Sequence, residues 1–408
     1  MPLRRCPSET WVPGGRAFSR KIRFSFAISG PAISCALLKV YCQWIASGRT
    51  RPIYQSYLRV ANRDAEQALR AQKQFATAPA PELHWSSMAA VNMDGRLIAE
   101  HLKPQVQAYG KALKVEYGLT PQLAVLLVGD DPASAVYVRN KQRLCQELGF
   151  GTELFTLHDG QITPDYLLGV IRELNDEKRL TGILVQLPLP ESINKFHIFD
   201  ALDPYKDVDA LTPTNTLPFY RGEEGPFLPC TPKAVLTLLD FYQIPTQGKA
   251  AVVIGRGDIA GKPLAIILGG RLCNASVTWC HRFTDDLEKY TRQADILVSA
   301  VGREVGRPYL ITADMVKEGG VVIDVSIRRM GGTLVGDVDA AAVKEKASHL
   351  TPVPGGVGPM TVMSLMQNLV DATRYRAGLG KAQYLLEPGS HSSRGRLPSP
   401  RVVSTFVQ

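Results

Sequence analysis

Two sets of residues in this chain have types and spacings that can do chemistry. In the first, Ser134-Ala-Val-Tyr137-Val-Arg-Asn-Lys141 places a tyrosine and a lysine at i and i+4, on one face of a helix. Tyrosine offers a flat surface for stacking, and a lysine drawn out of water loses basicity and can move a proton near neutrality. Read alone, the pair also fits a solvated helix surface. Val185-Gln186-Leu187-Pro188-Leu189-Pro190 ends an apolar run on an amide, at the carboxyl end of a strand, where α/β proteins bind ligands. Lys206-Asp207-Val208-Asp209-Ala210 and Pro229-Cys230-Thr231-Pro232 follow. Taken singly, the acids fit a solvated turn and Cys230 a small buried apolar side chain.

The second set opens with Ala250-Ala-Val-Val-Ile-Gly255-Arg256-Gly257-Asp258-Ile-Ala-Gly261, a strand, a tight turn and a helix start. Its G-x-G-x-x-x-G spacing is one residue longer than the usual dinucleotide fingerprint. Glycines let backbone approach a pyrophosphate, and a helix N-terminus supplies donors and a positive dipole. A plain strand–helix turn is the alternative. An NAD site usually ends the next strand with an acid that binds the ribose 2′-hydroxyl. Here that strand ends Val277-Thr-Trp-Cys-His281-Arg282, with no acid until Asp285. Arg256 and Arg282 together suit a 2′-phosphate, hence NADP; otherwise Arg282 is an exposed loop residue.

These residues need elements to hold them. Apolar runs at Leu123–Val128, Gly182–Leu187, Ala250–Ile254, Ser276–Trp279, Ile296–Ala300 and Val321–Val325 read as strands covered on both faces. Amphipathic stretches at Gly95–Tyr117, Ser134–Leu148, Pro164–Asn175, Lys233–Tyr242 and Ala260–Leu268 read as helices. The alternation predicts an α/β doubly wound arrangement. A Pro- and Gly-rich break over 212–232 separates the earlier units from the later ones. A final helix, about Met360–Tyr375, follows the loop Pro352–Pro359.

The 408 residues carry 47 Lys+Arg and 38 Asp+Glu, a net charge of +9. Residues 1–60 hold ten basic residues and one acid, so all of the excess lies there and the remainder carries 37 of each sign. Global charge therefore gives no support to a nucleic-acid partner. The arginine- and serine-rich start is that of a mitochondrial transit peptide. A secretory signal centred on Ala27–Leu38, an untargeted extension and a cytoplasmic location are the alternatives. Seven scattered cysteines without C-x-x-C or paired histidines indicate a reducing compartment, with no disulfide framework or zinc site. No apolar run reaches the ~18–20 residues of a membrane span. The tail from Gly378 is poor in hydrophobics and reads as disordered.

In their order, Ser134-x-x-Tyr137-Val-x-x-Lys141, Val185-Gln-Leu-Pro-Leu-Pro190, Lys206-Asp-Val-Asp209, Pro229-Cys-Thr-Pro232, Gly255-Arg256 and Pro352-Val-Pro-Gly-Gly-Val-Gly-Pro-Met-Thr361 resemble the bifunctional methylenetetrahydrofolate dehydrogenase/cyclohydrolase family, of mitochondrial type. The resemblance runs from Met93 to Tyr375. It implies oxidation of 5,10-methylenetetrahydrofolate by NADP⁺ or NAD⁺, the latter with inorganic phosphate, and hydrolysis to 10-formyltetrahydrofolate. It implies that Lys141, Tyr137 and Gln186 are catalytic and that Asp209, Ser134, Pro354, Gly355 and Gly356 bind substrate. Gly255, Arg256, Gly257, Asp258, Gly261, His281, Arg282, Val301 and Gly302 would bind cofactor, with no metal, no nucleic acid and a homodimer expected.

The implied organisation is a targeting extension and linker over 1–90, a folate-binding catalytic domain over 91–230 plus 360–377, a Rossmann domain over 231–359 and a tail over 378–408. The last helix is expected to pack back on the first domain. Several positions depart from the family pattern: Ala210 and Ala234 replace glycines, Leu217 replaces the small Gly after Asn215, Gly257 replaces a Ser, and Ser326 and Arg328 stand in a strand end that usually reads Asp-Val-Gly-Ile-Asn. Arg282-Phe283-Thr284 after His281 is similar to the mitochondrial branch. The alternatives are a member with the dehydrogenase alone, and a protein using its basic extension on RNA or an anionic membrane.

Overall fold

The computed structural model describes residues 89–158, 162–223, 225–303 and 305–386. The basic extension, with its targeting reading, lies outside the described residues. In chain order the elements are β1 (Val91–Asn92), α1 (Gly95–Tyr117), β2 (Gln122–Val128), α2 (Pro132–Leu148), β3 (Gly151–Leu157), α3 (Pro164–Asp176), β4 (Gly182–Gln186), α4 (Lys195–Ala201), α5 (Pro213–Arg221) and α6 (Cys230–Phe241). There follow β5 (Ala250–Ile254), α7 (Gly261–Gly269), β6 (Ser276–Cys280), α8 (Leu287–Thr291), β7 (Ile296–Ser299), β8 (Val321–Asp324), the hairpin β9 (Arg328–Met330) and β10 (Thr333–Val335), α9 (Ala340–Val343), β11 (His349–Leu350) and α10 (Val357–Arg376).

Two parallel sheets result. A three-stranded sheet runs β3-β2-β4, and a six-stranded sheet runs β1-β11-β8-β7-β5-β6. The uninterrupted apolar runs of β2, β4, β5, β7 and β8 are explained by cover on both faces, whereas β6, expected to be covered likewise, is an edge strand in which only Cys280 is buried. In β2, Leu123, Val125 and Leu127 enter one core cluster while Ala124, Leu126 and Val128 enter another. In β5, Ala251 and Val253 face the same cluster as α1, α6 and α10, and Val252 and Ile254 face the opposite layer. That shared cluster makes one continuous interior from the first sheet to the second.

α1 buries Gly95, Ile98, Leu102, Val106, Gly110 and Leu113, a stripe at three- and four-residue spacing. Asp94 caps its start by accepting from the Arg96 amide at 2.8 Å, and Gly118, at φ +66°, ends it. As expected, α10 packs back on the first domain, against α1, α2, α6 and β4. Asn368, buried on α10, donates to the Val208 and Leu228 carbonyls at 2.8 and 3.0 Å and accepts from Lys233 Nζ at 2.9 Å, tying the helix to the loops before α6.

Some expectations are corrected. The break over 212–232 contains α5, whose two prolines and polar residues hide it; Pro213 sits in its first turn, where no amide hydrogen is needed. Strand β3 was not foreseen, being an edge strand with alternating burial. Val91–Asn92 pairs with β11 and so belongs to the second sheet, and α6 packs mainly against α10, with smaller contacts to α1 and α7. The stretch 378–386 is ordered: Asp371 accepts the Ala382 amide at 2.8 Å, Gln105 exchanges two 2.8 Å bonds with the Leu385 backbone, and Tyr384 meets Tyr109 edge-on at 5.4 Å. The rest of the tail lies outside the described residues.

Candidate active site

α2 and β4 present the first set of side chains at the carboxyl end of the three-stranded sheet. Lys141 Nζ donates to Gln186 Oε1 at 3.0 Å, and Gln186 Nε2 donates to the Leu187 carbonyl at 2.8 Å. The amide is thereby fixed with its oxygen towards the lysine. Burial lowers the Lys141 pKa from its usual value, against the opposing pull of the Asp209 and Cys230 charges. Tyr137, one turn earlier on α2, keeps 37% of its surface exposed. Burial raises its phenol pKa, and the nearby Arg329 charge, from the β9–β10 hairpin, opposes the rise.

Within Lys206-Asp-Val-Asp209 the labour divides. Lys206 Nζ donates to the carbonyls of Leu174, Asn175 and Glu177, capping the end of α3. Asp207 is buried and accepts from the Thr212 amide at 2.7 Å and Asn215 Nδ2 at 2.9 Å. Only Asp209 is left directed at the site, where its charge reaches both Lys141 and Cys230. Cys230 is buried, donates to the Val208 carbonyl at 3.3 Å, and has its thiol pKa pushed well up, first by burial.

Ala210 takes φ +59°, which accounts for the glycine usual there. Ser134 donates from both amide and hydroxyl to Asp131 Oδ2, at 2.8 and 2.7 Å, so its first role is to brace the start of α2. Pro354, Gly355 and Gly356 lie against the start of α1. The Gly355 carbonyl accepts the Gly95 amide at 2.9 Å, and a Cβ on Gly95 would stand 1.9 Å from the Gly356 carbonyl oxygen.

The cofactor set gathers at the switch point of the second sheet, where the chain leaves β5 for β6 on one side and returns to β7 on the other. Gly255, at φ +118°, admits the Ala300 carbonyl to 2.4 Å of where a Cβ would be, and Gly261 approaches the Gly255 carbonyl equally closely, at 2.5 Å. Trp279 Nε1 donates to that carbonyl at 2.6 Å. A Cβ on Gly257 would meet nothing within 4 Å, so the outer face of the turn is open. A tight glycine turn, open above and leading into α7, fits a dinucleotide pyrophosphate.

Arg256 and Arg282 converge on one ring, their guanidiniums 5.4 and 4.5 Å from the centroid of Phe283. His281 stands beside it, ring centroids 6.1 Å apart. Asp258 is occupied: it accepts from Lys195 Nζ at 2.8 Å and from Lys262, and these bonds hold its carboxyl below the usual range against the rise from desolvation. Val301 and Gly302, expected at the cofactor site, stand just after β7 with their amides on Asp337, whereas Lys195, Arg329 and Asp337 carry no local signal in the sequence. Only the fold brings them to the site.

Residues 93–209 match the family model for the tetrahydrofolate dehydrogenase/cyclohydrolase catalytic domain, and residues 229–377 that for its NAD(P)-binding domain. The bifunctional protein FolD of Moorella thermoacetica is 48% identical over 288 residues, covering 70% of this chain and 100% of the relative. The crystal structure of FolD from Campylobacter jejuni superposes with a TM-score of 0.67 at 43% identity, over 71% of this chain and 100% of that one. The Trypanosoma brucei enzyme, solved with NADP cofactor and inhibitor, has the same TM-score of 0.67 at 34% identity, over 71% of this chain and 99% of that one. By domain order, by sequence and by fold, this chain belongs to the tetrahydrofolate dehydrogenase/cyclohydrolase family.

Proposed function

We propose that the chain oxidises 5,10-methylenetetrahydrofolate to the methenyl form and hydrolyses that product to 10-formyltetrahydrofolate. The observation that carries the reading is the largely desolvated Lys141, held by Gln186 and within reach of the Asp209 charge. The nicotinamide cofactor supplies the hydride acceptor. Oxidation leaves a cationic carbon, so a permanently charged lysine beside it would oppose the step. Burial favours the neutral amine, which can take the proton of an attacking water and return it as the ring opens. Gln186 orients that amine. Asp209 can accept two hydrogen bonds from a pterin's ring N–H and amino group, and Tyr137 gives the folate a surface to stack on.

The same reading places the cofactor over Gly255–Gly261 and against Val301 and Gly302, with Arg256 and Arg282 taking the 2′-phosphate of NADP. NAD with inorganic phosphate in the same place is the second arrangement that the two guanidiniums support. Residues 1–60 serve as a mitochondrial address, and the chain forms a homodimer. Among the described residues no helix is long and apolar enough to cross a membrane.

The test uses the purified full-length chain. Methylenetetrahydrofolate should drive reduction of NADP⁺ or NAD⁺, and methenyltetrahydrofolate should be hydrolysed faster than in buffer. No reduction of either cofactor would sink the dehydrogenase reading. Reduction without hydrolysis would leave a dehydrogenase alone.

A further inference from the structure

A buried carboxylate lies beneath the loop that follows β7. Asp337, 1% exposed, accepts from the Ser299 hydroxyl at 2.7 Å, from the Val301 amide at 3.0 Å, and from the Gly302 amide at 3.2 and 3.3 Å through its two oxygens. The Ser326 hydroxyl donates to the same carboxylate and accepts from the Val301 amide at 3.1 Å. Asp324 holds the frame from behind, accepting from the Ser326 amide at 3.0 Å and the Val338 amide at 2.9 Å. Three segments that are far apart in sequence therefore meet on one side chain.

This arrangement decides which way the loop faces. In a trans peptide the carbonyl points opposite to the amide hydrogen of the same plane. With the amides of Val301 and Gly302 turned to Asp337, the carbonyls of Ala300 and Val301 must point away from it. For Ala300 the consequence is visible, because its carbonyl lies against Gly255 at the glycine turn. Gly302, at φ +63°, lets the chain turn immediately after.

We propose that Asp337, with Ser326, is a positioning residue for the nicotinamide cofactor. The two side chains clamp the Val301–Gly302 backbone so that its carbonyl edge faces the crevice between β5 and β7. The inference rests on the reading that this crevice takes the cofactor. Ser326 stands where the family pattern has a glycine, so this chain adds a hydroxyl that a glycine does not supply. It bridges the carboxylate and the loop.

The test compares Asp337→Asn and Ser326→Ala with wild type, all full length. Asparagine keeps the size but turns an amide donor towards groups that are themselves donors. Two quantities are read: the Kd of NADP⁺ and NAD⁺ by isothermal titration calorimetry, and hydrolysis of methenyltetrahydrofolate, a step that consumes no nicotinamide. Leaving buried donors unpaired should weaken cofactor binding about tenfold in Asp337→Asn and about threefold in Ser326→Ala. Hydrolysis should stay within about twofold of wild type, since the hydrogen bonds of Lys141 and Gln186 share no partner with those of Asp337 and Ser326.

Ser326→Ala removes a single hydroxyl, and it carries the test should Asp337→Asn fail to fold. Unchanged cofactor affinity in Ser326→Ala overturns the proposal. So does a parallel fall in affinity and hydrolysis, which would make the clamp a general support of the fold. A wild type that binds neither cofactor is a different result, and it overturns the underlying reading of the crevice.

Discussion

Lys141 on α2 and Gln186 at the end of β4 are joined by a 3.0 Å hydrogen bond between residues 45 positions apart. The bond matters because the Gln186 amide is itself anchored on the Leu187 carbonyl. The lysine is thus tied to the end of β4 through the Gln186 amide. Replacing Lys141 with Met should cut hydrolysis of methenyltetrahydrofolate by about 10²–10⁴-fold, the usual worth of a positioned proton carrier. Gln186→Ala should lower kcat for hydrolysis while cofactor affinity stays unchanged. Wild-type rates in Lys141→Met would remove the lysine from the mechanism.

The direction of the Lys141 shift gives a pH prediction. On the proposed mechanism the amine works when neutral, and burial moves its pKa below 10.5. Hydrolysis should therefore rise with pH along a limb centred below that value. Arginine at this position stays charged, so Lys141→Arg should show no such limb. A pH–rate profile of both proteins settles the matter; a limb preserved in the arginine variant would belong to another group.

Arg256 and Arg282 both lie over the ring of Phe283 and are exposed, as is that ring at 64%, so both cations sit where an incoming anion can reach them. Arg282→Ala should raise the KM for NADP⁺ about tenfold, as loss of a charge-assisted hydrogen bond does, with a much smaller effect on NAD⁺. Inorganic phosphate should stimulate turnover with NAD⁺ in wild type and not in the variant. Equal losses with the two cofactors in steady-state kinetics would rule out a phosphate contact.

Ala210 carries a backbone conformation, φ +59°, that costs an L-residue about 1–2 kcal/mol. Glycine there would relieve that strain while adding about 0.4–1 kcal/mol of unfolded-state entropy. The strain is the larger quantity, so Ala210→Gly should raise Tm slightly. Ala210→Val should lower it, since branching at Cβ makes positive φ harder still. Thermal unfolding of the pair reads the sign directly.

Asp324 is pushed to about 7, first by burial and then by the neighbouring Asp337 charge. Its folded pKa lies above the unfolded value of about 3.9. The stabilisation it contributes is present below that lower value and is lost as pH rises through about 7. Asp324→Asn should flatten this fall, seen as a smaller drop in Tm between about pH 4 and 7 than wild type shows. Parallel curves for the two proteins would mean that Asp324 does not titrate in this range.

What could be read from the sequence follows from burial. β2, β4, β5, β7 and β8 are covered on both faces, so their apolar runs stand out. β3 is an edge strand, and none of its Gly-Thr-Glu-Leu-Phe-Thr-Leu is fully buried, with Leu154 and Thr156 exposed. α5 was hidden because prolines at 213 and 218 are usually read as breaks, although the first is in a position where a helix tolerates it. In the site, Lys141, Gln186 and Asp209 were legible because the motifs around them are distinctive. Asp337 was not, since nothing local distinguishes an acid that will be buried from one on the surface. Its role appears only when the ends of β7 and β8 come together over it.

The pairing of Val91–Asn92 with His349–Leu350 has a bearing on how the chain is made. The first described strand finds its partner only at 349–350, and α1, directly behind it, packs mostly on α10. A nascent chain halted on the ribosome before residue 349 therefore exposes an unmatched strand and leaves most of the α1 stripe uncovered. Neither half can finish alone, and completion of both waits on the same late stretch of translation.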